Sequence, residues 1–459
     1  MNQQDLLISG GHVVTLDPAL GDIEAGDVLV RDGRIAAVGP TGTVLPADAE
    51  PHGVRRIDAR GRLVIPGMVD AHRHVWQGAL GAATPDTSLM GYVTRVVQDV
   101  APGFDPDDIY AGTLWGALQA LHAGVTTVAD WAHNLRGPGH TDANVRGLRD
   151  SGIRGVFLHG GPGTDTAGFF GRPGGRHPDD AARVRDEHFA DGDGRLRMGM
   201  ALRGPAFTDE AATRADVAYA RELGLPISVH VGMSGFPGTV AALDRLGLLG
   251  PDINHAHANQ LTEHEWQLIA DSGGSVAVSP TVELLMALGT HPANGPAAGY
   301  GIRTGLGVDT TTSAGTDLFS EMRLALAAER SRTAAPAIAR DEAVGTVTPD
   351  PRDVLRLATA GGAEAWHMAE EIGTLTPGKQ ADLVLVDLRA PHLDAFGDPV
   401  AALVLGAGPS DVETVLVGGD VVKEAGRLVG AHAEAARELV TASRRRIRAR
   451  VAAVAGAGS

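Results

Sequence analysis

Alternating apolar and polar positions open the chain. Residues 5 to 65 carry DLLISGGHVVTL, then DVLVRDGRIAAVG with an Asp32-Gly33 turn, then RRIDARGRLVI. Period-two alternation broken by tight turns predicts short strands joined as hairpins. A stretch of the same texture, with ADLVLVDL and DVETVLVGGDVVKEAGRLV, lies between about Gly373 and Gly430. The two stretches, 1–65 and 370–432, are expected to form one small β-sandwich. Between them, across 66–369, β-like apolar runs (LVIPGMVDAH, TTVADW, RGVFLH, RLRMGMAL, PISVHVG, DINHAHAN, SVAVSP and RTGLGVD) alternate with helix-like ones such as TDEAATRADVAYARELG. Eight β/α units predict an α/β fold, a closed parallel (β/α)8 barrel of the TIM type. The remainder, 433–459, reads as a helix and tail that pack on a neighbouring molecule or on the chain's own sandwich.

A barrel of this kind gathers chemistry at the carboxyl ends of its strands, where the following loops converge on one mouth. The residues expected at those ends are His72 and His74, Trp131 and His133, His159, Arg203, His230, His257, Glu283 and Asp309. His72 and His74 flank Arg73, and positions two apart in a strand share a face, so both imidazoles can reach one ion. Alone, such a pair also arises from core packing. With His230, His257 and Asp309 ending later strands, three His and one Asp can make a donor set suited to Zn²⁺ or Fe²⁺, with a position left for water. A rival carboxylate, Asp317, precedes LFSEMRLALAAER and reads as a helix N-cap instead. Trp76, Gln77, Trp131, His133, His159 and Arg203 fall near the same mouth, either as contacts for a flat, polar substrate or as packing. His12, His52, His177, His188 and His432 read as surface or loop residues.

Composition narrows the field. Lys plus Arg number 39 against 56 Asp plus Glu, a net charge of −17 that repels phosphate backbones and anionic membranes, so neither nucleic acid nor membrane is an expected partner. No apolar run has the length of a bilayer span. The opening MNQQDLLISG lacks a basic segment followed by an apolar one, which makes the cytoplasm the expected location. Cysteine is absent, leaving histidine and carboxylates to hold any transition metal. A homo-oligomer is compatible with all of this, although no symmetric interface can be read from one sequence.

PGMVDAHRH, PISVHVG, HANQLTEHE, GLGVDTTTS and GTLTPGKQADLVLVDL together resemble the amidohydrolase superfamily. Within it they resemble the branch of cytosine and guanine deaminases and triazine hydrolases, in the right order over nearly the whole chain. The resemblance implies that His72, His74, His230 and Asp309 bind one divalent metal, zinc or iron, with His257 beside the metal-bound water. It selects His257 over His255, because the family histidine stands four residues before the Leu of a Leu-Thr-x-x-Glu helix start, here Leu261, Thr262 and Glu265. The implied reaction is attack of metal-activated water on an electron-poor carbon, with Asp309 and His257 moving the proton. Many relatives bridge two metals with a carboxylated barrel lysine. This chain has only two lysines, Lys379 and Lys423, both in the C-terminal β-rich stretch, so a single-metal site is expected. Deaminases of the branch also carry a Glu three residues after the fifth-strand His. Here that position is Met233. Glu283 either replaces the missing acid or serves as a salt-bridged or substrate-orienting group.

The function expected is hydrolysis of a carbon–nitrogen bond other than a peptide, foremost deamination of an amino-substituted heterocycle. The alternatives are hydrolysis of a cyclic amide, N-alkyl or halide substituent on a small molecule, and a catalytically idle metal-binding protein.

Overall fold

The computed structural model describes residues 5–45, 54–161, 174–190, 194–394 and 397–457, so His52 lies outside the described residues. The chain falls into two compact units. One comprises Met1–Asp70, Ala120–Thr127 and Asp317–Gly430, the other Ala71–Gln119, Val128–Thr316 and Ala431–Ser459.

In the first unit the two β-rich stretches meet. Leu383–Asp387 lies antiparallel to Arg62–Pro66, with Val384 opposite Ile65, and joins the N-terminal strands to the C-terminal ones in a nine-stranded sheet. Val28 and Ile35, from one end of the strand order, share an apolar cluster with Leu416 from the other end. The sheet therefore curls over its own core. Backbone bonds of 2.8 Å from Ile35 N to the Lys379 carbonyl and from Ala381 N to the Gly33 carbonyl tie the start of Arg34–Pro40 to the segment that leads into Leu383–Asp387. Lys423 is fully enclosed here, donating to the carbonyls of His122 (2.6 Å) and Pro409 (3.1 Å), and burial pushes its ammonium down to about 8. Asp317 caps its helix as expected, its carboxylate accepting from Ser320 N.

The eight-stranded parallel sheet runs in chain order through Met68–Arg73, Val125–Ala132, Arg154–Gly160, Leu196–Leu202, Ile227–Val231, Ile253–His257, Ser275–Val278 and Arg303–Leu306. Strands covered on both faces are buried at every position rather than at alternate ones, as Val125–Ala132 is. The ring closes where Arg73 pairs with Asp309: Asp309 N donates to the His72 carbonyl at 2.8 Å and His74 N to the Asp309 carbonyl at 2.9 Å. Gly307 makes that approach possible, since a Cβ there would lie 2.6 Å from the His72 carbonyl oxygen. This is the (β/α)8 barrel the sequence predicts. Thr262 and Glu265 form a capping box at the start of Glu263–Ser272.

The terminal helix, Ala431–Ala457, packs within the second unit. Val440 and Ile447 stand seven residues apart on one face and enter an apolar cluster with Tyr92, Val96 and Phe104. Arg444 donates to the Ala79 carbonyl at 2.6 Å, and Arg446 and Arg450 pair with the buried Asp108.

Candidate active site

The barrel seam carries the centre of the site. His72 Nε2 lies 3.4 Å, His74 Nε2 3.1 Å and His257 Nε2 3.9 Å from the Asp309 carboxylate. Potential ligand atoms of His72, His230 and His257 fall within 4.8 Å of one another, as do those of His72, His74 and Asp309. Asp309 (φ 61°) and His257 (φ 74°) adopt left-handed backbone conformations that β-strands do not use. Non-glycine residues are held there only where surroundings over-determine them. For His257 the turn also ends the period-two alternation, so His255 does not join it. The His255 ring is enclosed and its Nδ1 faces the Ser275 carbonyl at 3.0 Å.

These contacts fit a cation. His74 Nδ1 lies 2.8 Å from the Trp131 carbonyl oxygen, which can only accept, so Nδ1 carries the hydrogen. In the neutral ring Nε2 then presents a lone pair to a carboxylate oxygen 3.1 Å away. Two acceptors at that distance repel unless a positive charge lies between them. His257 repeats the pattern, its Nδ1 held 3.3 Å from Glu283 Oε1 and its Nε2 turned to Asp309. A buried carboxylate among imidazoles oriented through their second nitrogens is the donor chemistry of a divalent transition-metal site.

Burial pushes the His72 imidazole down to about 4 and that of His230 well below the ordinary histidine value, the latter helped by its His72 and His257 neighbours. Both stay neutral, the form that ligates. Burial opposes ionisation of Asp309, but His72 and His74 outweigh it and hold the carboxyl well below the usual range. His257 moves the other way. Burial disfavours its charged form, yet the Glu283 bond and the Asp309 charge raise it above the ordinary value. The site thus pairs neutral ligands with one imidazole disposed to hold a proton.

Above this cluster is a cavity whose lining includes Trp131, His133, Phe207, Met233, Met286 and Leu288. Of the residues expected at the mouth, Trp131 and His133 line it. Trp76 lies in the apolar layer behind, edge-on to Phe104 at 5.0 Å and to His133 at 5.4 Å. Gln77 is also behind the wall, donating to the Tyr92 hydroxyl at 2.5 Å. His159 and Arg203 are not among the lining groups. His159 Nδ1 meets His177 Nε2 at 2.9 Å, and Arg203 donates to the Gly175 carbonyl. His177, read from sequence as surface, is buried by that pairing and by its amide's 2.8 Å bond to Asp216. Glu283 does not end a strand: Pro280 opens a short helix, Pro280–Leu285, and places it in the first turn. There its carboxylate accepts from Ser279 N at 2.7 Å, Asn259 Nδ2 at 2.9 Å and His257 Nδ1. The sequence reading missed Tyr92 and Thr310, which also line the cavity. The signal for the first was the apolar spacing Leu89, Val93, Val97 around Tyr92, which places one helical face toward the mouth.

Known proteins resemble this chain in sequence and in fold. Residues 63–422 match the amidohydrolase family. A 5-methylthioadenosine/S-adenosylhomocysteine deaminase of Nitratidesulfovibrio vulgaris is 31% identical over 439 residues, covering 92% of this chain and 93% of the relative. A 5'-deoxyadenosine deaminase of Methanosarcina mazei is 28% identical over 433 residues, covering 92% and 93%. Among solved structures, an adenosine deaminase from Xanthomonas campestris with bound zinc superposes with a TM-score of 0.79 at 26% identity, covering 97% of this chain and 99% of that one. An atrazine chlorohydrolase from Arthrobacter aurescens complexed with zinc, at 24% identity and TM-score 0.80 over 96% and 100% of the two chains, shares the fold. No described helix is long and apolar enough to cross a membrane. With a matching sequence and barrel, the chain belongs to the amidohydrolase family and is a metal-dependent hydrolase.

Proposed function

We propose that this enzyme deaminates an amino-substituted heteroaromatic small molecule, with an adenine-type ring as the leading substrate class. His72, His74, His230 and Asp309 hold one divalent ion, zinc. Such an ion makes bound water a competent nucleophile near neutral pH. Asp309 accepts the proton of the attacking water, and His257, held by Glu283, carries a proton to the leaving amine. Trp131 and His133 flank the ring, and Met233, Met286 and Leu288 exclude water from it. The observation that carries this reading is the pair of facing acceptors, His74 Nε2 and Asp309 Oδ1, beside a proton-holding His257. The names of the relatives supply the substrate class.

The test is ammonia release by zinc-loaded protein from adenosine, 5'-methylthioadenosine, S-adenosylhomocysteine and 5'-deoxyadenosine, extended to cytosine, guanine, pterins and aminotriazines. Release from at least one is expected, and silence across the panel refutes deamination. Met233 in the cavity wall favours a second reading, hydrolysis of a cyclic amide, N-alkyl or halide substituent, whose departure needs less help from an acid at that position. Chloride, alkylamine or carboxylic acid in place of ammonia would select it.

A further inference from the structure

Behind the cavity wall runs a chain of hydrogen bonds that the mechanism above does not use. Thr84 Oγ1 donates to Thr312 Oγ1 at 2.9 Å, and Thr312 Oγ1 lies 2.8 Å from Thr310 Oγ1, which also accepts the Thr312 amide at 3.2 Å. Thr310 Oγ1 donates to Gln77 Oε1, and Gln77 Nε2 donates to the Tyr92 hydroxyl oxygen at 2.5 Å. Thr84, Gln77, Thr310 and Thr312 are all buried. Hydrogens are handed along this run toward Tyr92, which receives one and, among the described residues, has no acceptor for its own. A buried donor without an acceptor is costly. Tyr92 is 7% exposed and lines the same cavity as Met233 and Asp309. Burial and the Asp309 charge also raise its ionisation well above the ordinary phenol value, so the hydrogen stays on.

We infer that the Tyr92 hydroxyl, oriented by Gln77, donates to the ring nitrogen next to the carbon attacked by water. It would thereby fill the place of the acid that Met233 cannot provide. This rests on the heterocycle reading above. The nitrogen gains electron density as hydroxide adds, and a fixed donor there stabilises it without carrying charge into an apolar cavity.

The test uses zinc-loaded protein and calorimetric binding of purine ribonucleoside and its 1-deaza analogue, in which that nitrogen is a C–H. The wild type should prefer the nitrogen-bearing ligand by about tenfold, the worth of one hydrogen bond. Tyr92→Phe, which keeps the ring in its apolar cluster, should bind the two alike. An undiminished preference in Tyr92→Phe, or none in the wild type, overturns the inference while ammonia release from adenosine-type substrates leaves the proposed reaction standing. Failure of the wild type to bind either ligand overturns both.

Discussion

Glu283 acts on the reaction through His257, and replacing it by glutamine isolates that effect. The carboxylate accepts three N–H groups, with Oε1 shared by Ser279 N and His257 Nδ1 and Oε2 taken by Asn259. Glutamine keeps the shape and the oxygen that serves Ser279 and His257, while its NH2 faces the Asn259 Nδ2, which stays on the His291 carbonyl at 3.0 Å, so one partly exposed hydrogen bond is given up. What changes for the reaction is the bond to His257, from one made to a charged group to a neutral one. Such bonds are worth roughly 1.5–3 and 0.5–1.5 kcal/mol respectively. The loss is therefore about 1–1.5 kcal/mol, or roughly tenfold in a rate that needs protonated His257. Glu283→Leu strands both Ser279 N–H and His257 Nδ1–H in a fully buried site, at about 1–3 kcal/mol each, and should also lower stability by about 2–6 kcal/mol. Steady-state ammonia release, zinc content and denaturant unfolding separate the cases. Glu283→Gln should lose about tenfold in kcat with zinc preserved and stability lowered by no more than the roughly 0.5–1.5 kcal/mol of one hydrogen bond. A wild-type kcat in that variant, or loss of its zinc, would refute the positioning role.

Three further outcomes follow from the described contacts. His230→Ala should copurify with little zinc by elemental analysis, and full occupancy would remove His230 from the ligand set. Arg446→Ala/Arg450→Ala leaves the Asp108 carboxylate, 0% exposed, without its two guanidinium partners. Stranding a buried charge costs about 3–5 kcal/mol; Arg446 and Arg450 are 43% and 38% exposed, so roughly the lower bound applies, and unchanged urea unfolding would contradict it. Lys423 releases its proton near 8 when folded and near 10.5 when unfolded. Between those values the unfolded chain binds more protons, so this residue's burial penalty is full below pH 8 and relieved as pH rises. The Tm of Lys423→Met should lack that upward component between pH 8 and 10, and parallel pH profiles would refute it.

The barrel was legible because strand-like runs with histidines at their ends alternate with amphipathic helices, and because Thr262 and Glu265 mark the helix start that singles out His257. Two things were hidden. A proline at a helix start lies five residues beyond Ser275, and reading SVAVSPTVE as one strand put Glu283 in the mouth instead of behind His257. His255 and His257 looked equivalent because alternation was assumed to persist, whereas a left-handed residue ends it. The apolar spacing around Tyr92 was readable, but the place of Thr310 in the cavity wall depends on how the chain closes over the mouth, and no local pattern encodes that. His177 pairs with His159, 18 residues away in the chain, a contact that sequence spacing does not announce.

Asp309 joins the last part of the ring to the first with its backbone and faces His72 and His74 with its side chain. If it and its neighbours hold the ion as proposed, the metal rivets the one joint in the ring that covalent order leaves open. Binding only to the closed form stabilises that form by mass action. A cell short of zinc would then lose the protein as well as its activity, because molecules with an unriveted seam open more often to proteases. Metal supply would set abundance and turnover rate together.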